Sequence, residues 1–283
     1  MKYECHGHIM ADGNSYNAAA LLHEKAPDMA HVRAALVALV AHGVGYFRDG
    51  GDRYGVSLAA KTLAPQYEID YVTSAFIICR EGYYGSMYGF SYRDMAGARE
   101  LILRAKSLGA DFIKTTVSGM LDFNGDGGVM GPSTDYGELR ELINIANGEG
   151  LRVMAHCNGA ENIKNALNAG VSSIEHGFWA DDECVCMLKE TGAFWVPTCA
   201  PVKNVLGCGR FNDAALREIF DHQSEMLKKA SAKGVLIASG SDCGAQLVPH
   251  GKGTDDEYET LAAIGIDTAA ANERLAETFR RMI

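Results

Sequence analysis

Along this chain, short runs rich in Val, Ile, Phe and Tyr alternate with longer stretches whose apolar residues recur at i, i+3, i+4 and i+7. The first kind predicts strands at residues 3–10, 43–48, 69–79, 111–118, 151–157, 172–175, 194–199 and 235–239. The second predicts helices, among them MAHVRAALVALVAHG, YRDMAGARELILRAKSLGA, STDYGELRELINIANGEG and FNDAALREIFDHQSEMLKKASAKG, several of which stop at glycine. Ser133 and Asn212 are expected helix N-caps, each with an acidic residue in the turn that follows. Eight strands alternating with helices over 283 residues predict an α/β fold, a (β/α)8 or TIM barrel, as one domain over 1–283. The rival is a doubly wound open sheet. No G-x-G-x-x-G opens a helix after a strand and no P-loop is present; RDGGDRYG and NGDGGVMG are glycine-rich loops of a different kind.

Chemistry in such a barrel gathers at the C-terminal ends of the strands. The ends read here are His6 and His8 on strand one, Lys114 on strand four, His156 on five, His176 on six and Asp242 on eight; strands two, three and seven offer no obvious ligand. Side chains at i and i+2 share a strand face, so His6 and His8 can point together into the barrel mouth, with Gly7 keeping the other face clear. The same parity turns Cys5, Cys157 and Cys243 away from the ligands and reads them as packing thiols. Each residue alone has an ordinary explanation, as a core histidine, an ion-paired lysine or a turn-capping aspartate. Their convergence on strand ends is what points to a metal site. His23, His31, His42 and His222 fall in or beside helical stretches and read as surface or packing residues, while His250 follows strand eight.

Composition narrows the partners. With 26 basic and 36 acidic residues, net charge −10, and no Lys/Arg-rich block, neither nucleic acid nor an anionic membrane is expected as a partner. The N-terminus turns polar at once and no apolar run reaches the ~20 residues of a membrane span. Eight cysteines without a C-x-x-C read as reduced thiols of a cytoplasmic protein.

The segments CHGHI, GADFIKTTVSG, GDGGVMGP, VMAHCNG, AGVSSIEHGFWADDE, GAFWVPT and SGSDCG, in this order, resemble the amidohydrolase superfamily, and within it the imidazolonepropionase-like and prolidase-like branch. The resemblance spans roughly residues 3–265. It implies hydrolysis of an amide or cyclic-amide C–N bond by a metal-bound hydroxide, on a small-molecule or dipeptide-like substrate. It also implies a binuclear centre: Zn2+, or another divalent transition metal, held by His6, His8 and Asp242, a second ion held by His156 and His176, and a CO2-derived carbamate on Lys114 between them. Asp242 would be the catalytic proton carrier.

Candidate substrate contacts are Asn158, where peptidase-type relatives carry a tyrosine, Tyr84 in the loop CREGYYGSMYGFSYR, and His250. That loop also offers Tyr83, Tyr88, Arg80 and Arg93. Relatives carry a β-sandwich built from segments before the H-x-H and after the last helix. This chain is expected to be a barrel-only form, with the bared surface covered by homo-oligomerisation. Two other readings stay open: an aldolase-like barrel with Lys114 as Schiff-base nucleophile, and a non-catalytic metal-binding barrel.

Overall fold

The computed structural model describes residues 1–280. Among the described residues there are nine parallel strands: β1 (Lys2–Gly7), β2 (Val44–Asp49), β3 (Asp70–Thr73), β4 (Ile77–Arg80), β5 (Gly89–Tyr92), β6 (Ile113–Thr116), β7 (Val153–Cys157), β8 (Ser173–His176) and β9 (Phe194–Val196). They form two ladders, β1-β2-β3 and β5-β4-β6-β7-β8-β9. One seam between the ladders is bridged where Asp111 N–H donates to the Thr73 carbonyl at 2.8 Å. At the other, residues 235–239 lie between β9 and β1: Trp195 N–H donates to Leu236 O, Ala238 N–H to Trp195 O, and Cys5 N–H to Ser239 O. The result is the expected (β/α)8 barrel, with two interrupted seams.

Four expectations need correction. The eighth strand makes only an isolated bridge, Trp195 with Ile237. The reason is Asn272, whose Oδ1 takes the Ser239 N–H at 2.8 Å and so replaces a strand partner. The third strand breaks into β3 and β4 at Ala75, whose φ of 65° is left-handed. Part of the loop after it forms the extra strand β5, paired to β4 from Ile77–Gly89 to Arg80–Tyr92. The seventh strand stops at Val196, because Pro197 has no N–H to give the ladder and Thr198 is left-handed at φ 48°. Asn212 is an N-cap as expected. Ser133 is not; Asp135 caps helix Tyr136–Gly148 by accepting from Gly137 and Glu138 N–H.

The strands are buried on both faces, as near-continuous apolar runs require. Outward-facing Ile78, Ile113, Val153, Ala155 and Ile174 pack against Ile102, Leu142, Ile143, Ile163 and Leu188 of the surrounding helices. Inside the barrel, Tyr46, Val72, Phe112, Met154, Phe194 and Val196 form a floor that packs on Leu275, Ala276 and Phe279 of helix Ala269–Phe279. Polar groups at the opposite end of these strands build the site. Among the described residues, no helix is long and apolar enough to cross a membrane.

Candidate metal centre

β1 delivers His6 and ends at Gly7, short of the expected Met10; His8 follows directly past that end and turns to the same cluster. Gly7 is needed between them: a Cβ there would lie 2.6 Å from both Cys243 Sγ and the Phe47 ring. The register with β2 shifts between Glu4 and Gly7, so simple alternation fails for Cys5. It joins the floor with Val72 and Phe112, and its thiol faces Asn272 at 3.7 Å, away from the histidines. Cys157 and Cys243 pack behind the sheet. Burial raises all three thiols well above their ordinary value, and their placement sets them apart from the histidine cluster.

The ligand atoms of His6, His8 and Asp242 all lie within 4.8 Å of one another. Asp242 Oδ1 is 3.6 Å from His6 Nε2 and 3.9 Å from His8 Nε2. Lys114 Nζ stands 3.4 Å from His6 Nε2. The His156 and His176 rings are 4.5 Å apart, and His176 is 4.9 Å from His6. All six sequence-predicted ligands therefore meet in one cluster. One of them reaches it against strand parity. Glu175 points inward, and His176, left-handed at φ 67°, follows it with its side chain inward as well; Asp242 keeps the inward parity of Leu236 and Ala238, though it too is left-handed, at φ 56°. Strain of this kind persists where surrounding structure enforces it and collects at functional sites.

Each imidazole has one nitrogen engaged from outside. His6 Nδ1 meets Glu175 Oε2 at 2.7 Å, His8 Nδ1 meets Gly51 O at 3.2 Å, and His176 Nδ1 meets Thr198 Oγ1 at 2.7 Å. His156 is the converse case, with Nε2 on Gly119 O at 3.1 Å. Such outer partners fix tautomer and ring orientation. They leave Nε2 of His6, His8 and His176, and Nδ1 of His156, as the free lone pairs. Burial, followed by the Lys114 charge, lowers His8 and His156 to about 3. Burial also lowers His6 and His176. All four rings are thus neutral, the form that ligates. Burial also pushes the Lys114 amine down and the Asp242 carboxyl up.

Beneath the ligands lies an ion pair that strand-end reading missed. Arg48 Nη2 is 2.9 Å from both oxygens of Glu175, its Nε donates to Cys5 O at 2.5 Å, and its guanidinium lies over Phe279, 4.4 Å from the ring centroid. Both charged residues are fully buried. The signal for them was present: Arg in VGYFRD and Glu in SSIEH place a charge within a buried strand, before its final residue. Strand two also does end in a working residue. Asp49 accepts from Ile9 N–H at 3.1 Å, Gly51 N–H at 2.7 Å and the Tyr71 hydroxyl, and so shapes the turn after His8.

The cluster opens into a cavity of about 460 Å3 lined by all six of these residues, within the range of small-molecule sites. Its further lining is largely apolar, including Met120, Leu121, Phe178 and Phe211, with Tyr84 and Arg210 among the polar groups. Tyr84 lies against His156, ring centroids 4.8 Å apart. Asn158 also lines the cavity, but its amide is tied to the backbone: Nδ2 donates to Gly119 O at 3.2 Å and Oδ1 accepts from Phe178 N–H at 3.2 Å. His250 does not line it; its Nε2 faces His8 O at 3.4 Å. Arg80 pairs with Glu138 and Arg93 with Glu81, outside the cavity. The loop cation that lines it is Arg210.

Four imidazoles, a buried lysine and a carboxylate thus gather at the mouth of a barrel, and His6, His8 and Asp242 among them could hold a metal ion. The chain matches the amidohydrolase family over residues 19–282, and it belongs to that family; the match begins after the H-x-H. An uncharacterised protein of Mycobacterium tuberculosis is 30% identical over 134 residues, 45% of this chain and 36% of that protein. Ochratoxinase of Aspergillus niger is 31% identical over 110 residues, 37% of this chain and 23% of that protein. The matched stretches thus span roughly a third or less of these relatives' lengths. Among solved structures, a Xaa-Pro dipeptidase with bound methionine superposes with TM-score 0.78 at 22% identity, covering 98% of this chain and 75% of the other. A. niger ochratoxinase gives 0.77 at 20% identity, covering 99% and 71%.

Proposed function

We propose that this chain is a metal-dependent hydrolase of amide bonds in small N-acyl amino acids or dipeptide-like molecules. The observation that carries the reading is the convergence of four imidazoles, each with one nitrogen left free by an outer partner, on Lys114 and Asp242 at the end of one cavity. The donor set fits divalent cations: all nitrogen and oxygen, no thiolate, which suits Zn2+ first among the transition metals. His6, His8 and Asp242 would hold one ion. His156 and His176 supply only two donors for a second, and a carbamate on Lys114 would complete it. Desolvation of Lys114 favours the neutral amine that carbamate formation needs. Such ions, when bound, supply Lewis acidity and lower the pKa of water toward neutrality.

The chain's own residues do the rest. Asp242 faces the cavity between His6 and His8 and is placed to accept a proton at a carboxylate oxygen and return it to the leaving nitrogen. Phe178, Phe211, Met120 and Met130 form an apolar bed for one side of the substrate. Arg210, its guanidinium over the Phe211 ring, suits a substrate carboxylate beside that bed. The Xaa-Pro dipeptidase and ochratoxinase likenesses fit this reading at the level of fold.

The test joins metal quantification of purified protein to a screen of N-acyl amino acids, dipeptides and cyclic amides. Bound divalent metal and chelator-sensitive release of a free amine are expected. Protein that neither holds nor takes up metal, or borohydride trapping of a carbonyl substrate on Lys114 with activity surviving chelators, would overturn the proposal.

A further inference from the structure

Three histidines that no part of the metal centre uses converge on the turn following His8. His250 Nε2 faces the carbonyl of His8 at 3.4 Å, His31 Nε2 that of Ile9 at 2.8 Å, and His23 Nε2 that of Met10 at 3.2 Å. Three successive carbonyls thus meet three imidazoles. The rings pack edge to face, His23 with His31 at 4.9 Å and His31 with His250 at 6.4 Å. They come from separate parts of the chain: the end of helix Tyr16–His23, the first turn of helix Met29–Ala41, and the loop after Asp242. We infer that His23, His31 and His250 form a clamp that fixes the His8–Met10 turn and thereby positions the His8 imidazole over the metal site.

The geometry assigns each ring its role. A nitrogen facing a carbonyl must carry the proton and donate. His23 is fixed in that tautomer from its other side, because its Nδ1 accepts the Asp28 N–H at 3.0 Å. With Nε2 turned onto the backbone, the trio is not arranged as a second metal site. The turn is held from its opposite face too, where Ile9 N–H donates to Asp49.

Its carbonyls are buried beyond the end of β1; that of His8 also accepts the Ala11 N–H at 3.2 Å, while those of Ile9 and Met10 take their donors from the imidazoles. Lysine or arginine would supply them with a positive charge beside a site built for cations. A neutral imidazole donates without that repulsion, and the Asp28 N–H on Nδ1 leaves His23 that form. His23 and His31, which the sequence reads as surface or packing residues, are on this view positioning residues.

The inference rests on the metal-dependent reading only in taking His8 as a ligand. Its test uses His31→Phe, which keeps a ring without a donor, and His31→Gln, which restores an N–H. Cobalt(II) affinity and the visible spectrum of the cobalt protein are read for both, with amide hydrogen exchange of residues 8–12 in metal-free protein and circular dichroism to verify folding. Loss of an outer partner typically weakens metal binding about 10–100-fold, and that loss is expected for phenylalanine, together with faster exchange in the turn. Glutamine should stay within about threefold of wild type on the same scale.

Equal cobalt affinity in wild type and His31→Phe, or equal losses in both variants, would overturn the clamp. A wild-type protein that takes up no cobalt would sink the metal-dependent reading instead. Exchange in the turn would still judge the clamp: unchanged protection in His31→Phe refutes it. Where phenylalanine prevents folding, His23→Gln and His23→Leu provide the same contrast at Met10.

Discussion

Glu175→Gln probes how the centre is held from below. Both oxygens of the fully buried Glu175 are in use, with Arg48 Nη2 at 2.9 Å from each and His6 Nδ1 at 2.7 Å from Oε2. An amide has a single accepting oxygen. If that oxygen stays on Arg48, the amide NH2 faces His6 Nδ1, which must then accept. The ring proton moves to Nε2, the nitrogen aimed at Lys114 and Asp242, and the lone pair for metal is lost. If the oxygen turns to His6, the NH2 abuts a guanidinium left buried without a counter-charge.

The first outcome lowers metal affinity, by about 10–100-fold for an outer partner. Both outcomes leave Arg48 facing a neutral amide and so remove half of a buried ion pair, which costs about 3–5 kcal/mol. At about 2–4 °C per kcal/mol for a chain of this size, Tm falls by roughly 6–20 °C. Chelator-competition titration and a thermal melt of the metal-free protein measure the two directly. Wild-type metal affinity combined with wild-type Tm would show that Glu175 neither sets the His6 tautomer nor balances Arg48.

Three further outcomes are expected. Lys114→Ala should bind one ion in place of two by elemental analysis, with turnover partly restored by short carboxylates; full turnover without them would refute a bridging carbamate. Gly50→Ala should lose metal while remaining folded, because its Cβ would sit 2.5 Å from His8 Cε1 and 2.9 Å from Nε2; unchanged stoichiometry would show that His8 has room to move. Glu257 is buried, with Oε1 unpartnered and Oε2 on the Ala200 N–H, and burial raises it to about 8.

The folded state therefore holds a proton that the unfolded chain has released above about pH 4.3. Glu257's contribution to stability is full below that value, is lost as pH rises toward 8, and is flat beyond, with a limiting slope of about 1.4 kcal/mol per unit. Glu257→Gln should flatten the fall in Tm between pH 5 and 8. Parallel curves for variant and wild type would mean that Glu257 is already ionised across that range.

The ligands were legible in the sequence because strand alternation and the barrel's polarity are simple rules, and five of the eight strands end in a chemically loaded residue. His6, His8, Lys114, His156 and Asp242 follow from parity alone. His176 does not: parity would point Glu175 inward and His176 out, and a left-handed backbone at the strand end decides otherwise. Backbone sign is not written in a hydrophobic pattern.

The outer partners were hidden for a different reason. Arg48, Asp49, Glu175 and Thr198 matter through contacts with residues far away in sequence, and a one-dimensional reading sees them only as polar interruptions. His250 was read as a substrate contact because it follows strand eight. Its ring instead turns onto the His8 carbonyl, a choice made by three-dimensional packing around the turn.

The weak seam at residues 235–239 has a bearing on durability. His6 and His8 stand on one side of it and Asp242 just past its end, so an ion shared by them would span the least continuous part of the barrel wall. By mass action, whatever binds only the closed arrangement stabilises it. Metal would then act as a rivet across the wall, and stripping it should expose the backbone between Val235 and Asp242 to proteases before the rest of the barrel loosens. For an enzyme of this design, storage life and catalytic readiness would be governed by the same occupancy.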